Sequence, residues 1–246
     1  MLTLIAALLM GCTLPPLRGK VEIGTDAYAV VAADGGGGRD LFIVRGDDGT
    51  ATAITFTPTA ESGARLSPDG GAVVFLRDQG SGIGDQGGRF VNVWVMNLLS
   101  GAERELPPTS TPVHAVAWSK DGSRIYGRSN DGYFAWPAPP QVGEPAFLFS
   151  SPEADSAFQV LLGSPAFARI APCPADEASL CAVRGSGIGQ VLARGAHSPA
   201  RWGSDSVAWI LGAEIEARPL GDGVARRIQP EPALTEMRGL SYFAGK

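Results

Sequence analysis

The chain is poor in the residues that do covalent chemistry. Its 246 residues include two histidines, His114 and His197, and three cysteines, Cys12, Cys173 and Cys181. A Ser-His-Asp triad would have to use one of the two histidines, and neither has a partner near it in sequence, so both are assigned structural roles. The cysteine spacing does not fit CxxC and no histidine adjoins it, which argues against a thiolate–imidazole metal site. Basic clusters are also missing. The longest Lys/Arg run is Arg226-Arg227, in a chain of formal net charge −5. Nucleic-acid binders present a basic face, so no nucleic-acid partner is expected. Apolar runs long enough to span a bilayer as a helix are lacking. Amphipathic helical periods are lacking too; residues 157–162 (AFQVLL) are the best candidate and read equally well as a strand.

What the chain has in quantity is turns: 33 Gly and 19 Pro, spread along its length. A short phrase recurs among them. It reads Ser67-Pro68-Asp69-Gly70, then Ser119-Lys120-Asp121-Gly122, and more faintly Gly203-Ser204-Asp205-Ser206. Asp69, Gly70, Asp121, Gly122 and Asp205 are its marker residues. Asp and Gly suit a tight turn, Gly because it tolerates positive φ. Each copy lies between two short apolar strands, as 63–67 and 72–76 flank the first, and strand segments such as 40–46 and 91–97 are rich in β-branched and aromatic residues. The segments fall into five blocks of three or four strands, with the fourth block starting at 168 and residues 152–167 unassigned. Strand sets that repeat in this way predict an all-β fold, a β-propeller of five or six four-stranded blades, in which stacked blades bury each other's apolar faces. The final segment, 239–246, lacks partners of its own and is expected to join the first blade and close the ring. Trp94, Trp118, Trp136, Trp202 and Trp209 fall in strands and are assigned to packing between blades.

These residues resemble a known family. LSPDGGAVVFLRD followed by NVWVMNLLSGAERELPP is similar to the repeat of TolB-type β-propellers. Asp69-Gly70, Phe75, Val93 to Met96 and Gly101 carry the match in the second block, and Trp118, Asp121-Gly122 and Ile125 in the third. The resemblance covers 21–246 and implies one propeller domain without the separate N-terminal domain of TolB itself.

The N-terminus reads as an address. The largely apolar run Leu2–Met10 fits a signal-peptide core, and Leu9-Met10-Gly11-Cys12 resembles the bacterial lipobox. The expected organisation is a signal peptide at 1–11, a tether at 12–20 lipidated on Cys12, and the propeller at 21–246. In a host with two membranes, the sorting rule that this resemblance implies favours, with Thr13 after the cysteine, the outer one, facing the periplasm. With Cys12 lipidated, Cys173 and Cys181 remain as an even pair in an oxidising compartment. They flank a turn at 174–177, where directly opposed strands would allow a disulfide.

Candidate sites are few. Gly80-Ser81-Gly82-Ile83-Gly84 recurs as Gly185-Ser186-Gly187-Ile188-Gly189, and both copies are expected at the same end of their blades. Neither precedes a helix or a Lys as a phosphate loop requires, so they read as plain loops and no cofactor is expected. The expected role is therefore a monomeric, non-catalytic binding or scaffold module for an envelope protein, peptide or glycan. The alternative is a propeller hydrolase or lactonase with a channel metal, for which Glu22, Asp26, Asn130 and Asp131 are the available ligands. Aspartates 34, 47 and 48 read as turn residues.

Overall fold

The computed structural model describes residues 27–35, 38–78, 91–141, 143–161, 169–184, 187–202, 206–220 and 222–244. Cys12 with the signal and tether segments, Glu22, Asp26, the 80–84 loop and Asp205 lie outside the described residues. Among the described residues the strands form five four-stranded antiparallel sheets, the lower of the two blade numbers expected from the sequence. Blade 1 contains β1 (Tyr28–Asp34), β2 (Arg39–Arg45) and β3 (Ala51–Ala53). Blade 2 contains β4 (Glu61–Leu66), β5 (Ala72–Asp78), β6 (Val91–Asn97) and β7 (Glu103–Glu105). Blade 3 contains β8 (Ala115–Trp118), β9 (Arg124–Arg128), β10 (Tyr133–Pro137) and β11 (Ala146–Leu148). After α1 (Pro152–Ala157), blade 4 contains β12 (Val160–Leu161), β13 (Arg169–Cys173), β14 (Asp176–Arg184) and β15 (Gly187–Arg194). Blade 5 contains β16 (Ala196–Trp202), β17 (Ser206–Leu211), β18 (Glu214–Pro219) and β19 (Arg226–Ile228). The last strand, β20 (Arg238–Phe243), pairs with β1 and serves as the first strand of blade 1. Ring closure by the C-terminal strand is thus as expected.

The period of two along a strand explains how the blades stack. In β1, Ala29, Val31 and Ala33 join a core shared with blade 5, while Tyr28, Val30 and Ala32 join a core shared with blade 2. In β5, Val73 and Phe75 face blade 1, and Val74 and Leu76 face blade 3. In β17, Ala208 and Ile210 face blade 1, while Val207 and Trp209 face blade 4. In blades 1, 2 and 5 the second strand is therefore buried on both faces, which is why it reads as a continuous apolar run rather than an alternation. Each large side chain buried there contributes about 1.5–3 kcal/mol.

Blade 3 departs from this pattern. Tyr126 and Ala135 pack on Ala154 of α1. Ser151 caps this helix by accepting from the Ala154 N–H at 3.1 Å, and Pro152 opens it. Residues 152–161 thus supply a helix and the first strand of blade 4; the rest of the unassigned stretch, 162–167, lies outside the described residues. This shifts blade 4 by one strand relative to the sequence expectation. The strand at 169–173 is its second, not its first. Residues 80–84 and Gly185-Ser186 lie outside the described residues, but the strands that the two Gly-Ser-Gly-Ile-Gly copies separate are not equivalent. One joins the second and third strands of blade 2, and the other joins the third and fourth strands of blade 4. The strand ends that flank them lie at opposite ends of their blades.

Cys173 and Cys181 are joined by a disulfide. They are not directly opposed, as the sequence suggested. Cys181 faces Ala171 and Cys173 faces Asp176, with a bulge between Pro172 and Cys173. The bulge brings the two Cα atoms to 5.1 Å, within bridging range. The closed loop is short, and the cross-link contributes about 2–3 kcal/mol on the chain-entropy model.

Candidate functional site at the inner strands

The first strand of each blade stands at the ring axis. Three of these inner strands that adjoin one another, β16, β20 and β4, each carry a β-bulge at an equivalent level. In β4, Gly63 and Ala64 oppose only Phe75, because Ser62 pairs with Leu76 and Arg65 with Val74. In β20, Gly239 and Leu240 oppose Val31. In β16, Ser198 and Pro199 oppose Trp209. The first bulge residue is left-handed every time, with φ of 63° at Gly63, 68° at Gly239 and 53° at Ser198. Bulges with a left-handed first residue bend the strand and re-aim its side chains. Ser198 holds this conformation without being glycine, a form of strain that concentrates at functional positions.

The three bulges touch. The Gly239 N–H donates to Ser198 Oγ at 3.0 Å. A Cβ on Gly239 would come within 3.4 Å of the Gly63 nitrogen. Further bonds tie the inner strands crosswise: Leu66 N–H to Ser241 Oγ at 2.9 Å and the Trp118 indole N–H to Arg65 O at 3.0 Å. The Trp202 ring stacks on Tyr242 at 3.7 Å between centroids.

The side chains gathered here are cationic. The inner strands carry Arg65, His197, Arg201 and Arg238, and a single acid among the described residues, Glu61. Arg65 Nη1 donates to Ala64 O at 2.9 Å and reaches Leu240 O at 3.4 Å. Burial lowers the Arg65 pKa, but a guanidinium stays protonated at any physiological pH. His197 Nδ1 lies 3.1 Å from Ser198 Oγ, so His197 does have a sequence-local partner, contrary to the expectation above. Burial, and then the charge of Arg238, lower the His197 pKa, so the ring is neutral at pH 7. The stretch Arg238-Gly239-Leu240 is the hub. It supplies one cation, accepts from Arg65 at Leu240 O and donates to Ser198 from the Gly239 N–H.

The sequence did not reveal this row. Its one visible signal is an isolated Gly inside strand-like segments, Gly63 and Gly239, which often marks a bulge. His114, by contrast, is exposed just before β8, with its N–H bonded to Arg128 O at 2.9 Å. Asn130 and Asp131 sit in the turn between β9 and β10, away from the inner strands, so they do not converge as channel ligands. Among the described residues, no three His, Cys, Asp or Glu side chains are grouped so as to hold a metal ion.

The repeat turns are built alike. Ser67 Oγ donates to Asp69 Oδ1 at 2.6 Å and accepts from the Ala72 N–H at 2.9 Å. Ser119 Oγ donates to Asp121 Oδ1 at 2.6 Å and accepts from the Arg124 N–H at 2.9 Å. The Ser119 bond, together with those from the Ser123 N–H and hydroxyl, holds the Asp121 carboxyl down at about 2. A cavity of about 510 Å³ opens beside both turns, with Asp69, Asp121, Asn97 and Trp118 in its wall. The five tryptophans serve mainly as core: Trp136, Trp202 and Trp209 are buried, whereas Trp94 and Trp118 are half-buried.

A second constellation that the sequence concealed ties blades 1 and 2 at the end away from the repeat turns. Glu61 is fully buried and accepts from Arg77 Nε at 2.8 Å and from Thr57 Oγ1 at 2.6 Å. Arg77 also reaches Glu103 at 2.9 Å, and its guanidinium lies 4.5 Å from the Trp94 ring centroid. Thr55 Oγ1 stands 3.3 Å from both Asp40 Oδ1 and Glu61 Oε2. Burial raises the pKa of Asp40 and of Glu61.

No family model and no curated protein matches the chain. Solved structures do. TolB from Acinetobacter baumannii is 11% identical over 90% of this chain and 67% of that one, with a TM-score of 0.40. A protein designated TolB from Agrobacterium tumefaciens is 15% identical over 89% and 71%, with a TM-score of 0.38. A protein designated 6-phosphogluconolactonase from Bacteroides uniformis is 17% identical over 85% and 68%, with a TM-score of 0.34. The chain spans about two-thirds of the length of each of these. The TolB-type resemblance read from the repeat has its counterpart here as a likeness of fold.

Proposed function

We propose that the chain is a lipid-anchored, non-catalytic binding propeller of the bacterial cell envelope. It would be held at the outer membrane through Cys12 and present its ring to an envelope protein, peptide or glycan. The observation that carries the reading is the row of contiguous bulges on β16, β20 and β4. The row holds Ser198 in a left-handed conformation and brings strands bearing Arg65, His197 and Arg238 side by side. The lipobox-like Leu9-Met10-Gly11-Cys12 supports the anchor, and the Cys173–Cys181 disulfide supports an oxidising compartment. A second reading, a hydrolase, draws on the hydrogen-bonded His197–Ser198 pair, in which a neutral imidazole adjoins a hydroxyl.

One experiment separates the two. A photo-crosslinking residue is placed at Ser62 on an inner strand, with Val224 on the outer rim as control, and the full chain is irradiated in cells. The binding reading expects a discrete adduct from Ser62 and none from Val224; equal labelling from both would sink it. Covalent capture of Ser198 by a fluorophosphonate would instead establish the hydrolase. In the same cells, Cys12→Ala should move the protein from the membrane to the soluble fraction, and continued membrane fractionation would refute lipidation.

A further inference from the structure

We infer that the inner row of bulges binds a carboxylate, gripped by Arg65 and Arg238 with His197 as an additional donor. The inference rests on the binding reading above and names the chemistry of its ligand. In a chain of net charge −5, these cations are concentrated around one three-residue stretch of β20. Arg65 Nη1 reaches Leu240 O at 3.4 Å, and Arg238 lies two residues earlier on the same strand. The Arg238 charge is close enough to His197 to depress its protonation. The acids nearby are engaged elsewhere. Glu61 on β4 is bonded to Arg77 at 2.8 Å, and Glu236, just before β20, pairs with Arg39 at 3.5 Å. The positive charge at the axis is therefore not cancelled by these neighbours. A planar carboxylate matches the fork of a guanidinium in size, charge and donor geometry. Its negative charge would offset that of Arg238 and favour protonation of His197, so binding and proton uptake are linked.

The carboxylate could belong to an acidic peptide segment or to a small organic acid, and the test uses one of each. The probes are an acetylated, amidated tetraglutamate peptide and succinate. Each is titrated against the full chain in detergent while the imidazole resonances are followed by NMR. The chain has two histidines, so His114 serves as the internal control. The expected result is saturable movement of the His197 signals with at least one probe. His114 stays still, and affinity is about tenfold higher near pH 5.5 than near pH 8. Arg238→Met, an exposed position, should abolish the response while leaving spectral dispersion intact, and Arg65→Met should do the same. Response to the peptide alone assigns the site to a protein partner, and response to succinate alone assigns it to a free acid. The inference is overturned if neither probe moves His197, if both histidines move together, or if the Arg238→Met response equals that of the parent. Ring-specific crosslinking from Ser62 alongside a silent His197 would retire the carboxylate while leaving the binding propeller in place.

Discussion

Gly70→Ala should destabilise the protein by about 3 kcal/mol, whereas the equivalent change in the next blade, Gly122→Ala, should cost only about 1 kcal/mol. Both glycines occupy the last position of the repeat phrase, and both have positive φ, 73° and 74°. The backbone cost of a Cβ is therefore the same at each. The surroundings differ. A Cβ on Gly122 would meet Pro68 at 3.5 Å, an ordinary contact. A Cβ on Gly70 would enter the Phe243 ring, with three ring carbons between 2.7 and 2.9 Å. Phe243 cannot simply swing away, because it sits in the closing strand against the Tyr28 ring at 5.4 Å. The Tyr28 hydroxyl in turn donates to Gly70 O, and burial pushes the Tyr28 pKa up to about 12. The turn of blade 2 is thus part of the latch that closes blade 1. Urea unfolding measures the difference directly, and thermal midpoints should fall by about 2–4 °C per kcal/mol for a chain of this size. In a Phe243→Ala background the cost of Gly70→Ala should drop to that of Gly122→Ala. Equal costs for the two glycines in the parent would remove the latch from the account.

That latch shows where the sequence stops being legible. The phrase itself announces a tight turn, and its Ser-to-Asp bond with Ser accepting from the chain five residues on is the same in both described copies. The turns, the apolar second strands and the closing role of the last strand can all be read from composition and spacing. That one turn glycine abuts the final strand cannot be read, because the two are joined only by ring closure. Blade 4 was misframed for a local reason. Its first strand, Val160–Leu161, is two residues long and follows a six-residue helix, too little of either period to detect. The bulge row escaped because period-two alternation says nothing about a register slip, and one inserted residue exchanges the faces beyond it. The charged cluster at blades 1 and 2 escaped because Asp40, Glu61 and Arg77 stand at or near strand ends. Charges at such positions ordinarily project into water; here stacking of the two blades encloses them.

The enclosed cluster yields the other large effect. Arg77→Met should destabilise the protein by about 3–5 kcal/mol at pH 8, because it leaves Glu61 buried without its counter-charge. Methionine retains most of the volume beside Trp94, so the loss is chiefly electrostatic. The pH dependence distinguishes this from lost packing. Burial already raises the Glu61 pKa above its ordinary 4.5, and both the hydrogen bond and the charge of Arg77 pull it back down. Without Arg77 the folded-state value rises further. For a carboxyl whose folded pKa exceeds its unfolded one, the folded state holds the proton more tightly. Its favourable contribution is complete below the unfolded value and is lost as pH rises through the folded value. The variant should therefore lie closest to the parent near pH 4.5 and fall progressively behind as the pH is raised. Adding Glu61→Met should restore most of the stability at pH 8, since replacing both members of a buried pair by apolar groups is often nearly neutral. Thr57, released from Glu61, retains Thr59 O as an acceptor at 3.2 Å. Chemical denaturation of the single and double variants at several pH values provides the measurement. A pH-independent loss for Arg77→Met, with no recovery in the double variant, would make the guanidinium a packing element over Trp94 rather than the counter-ion of Glu61.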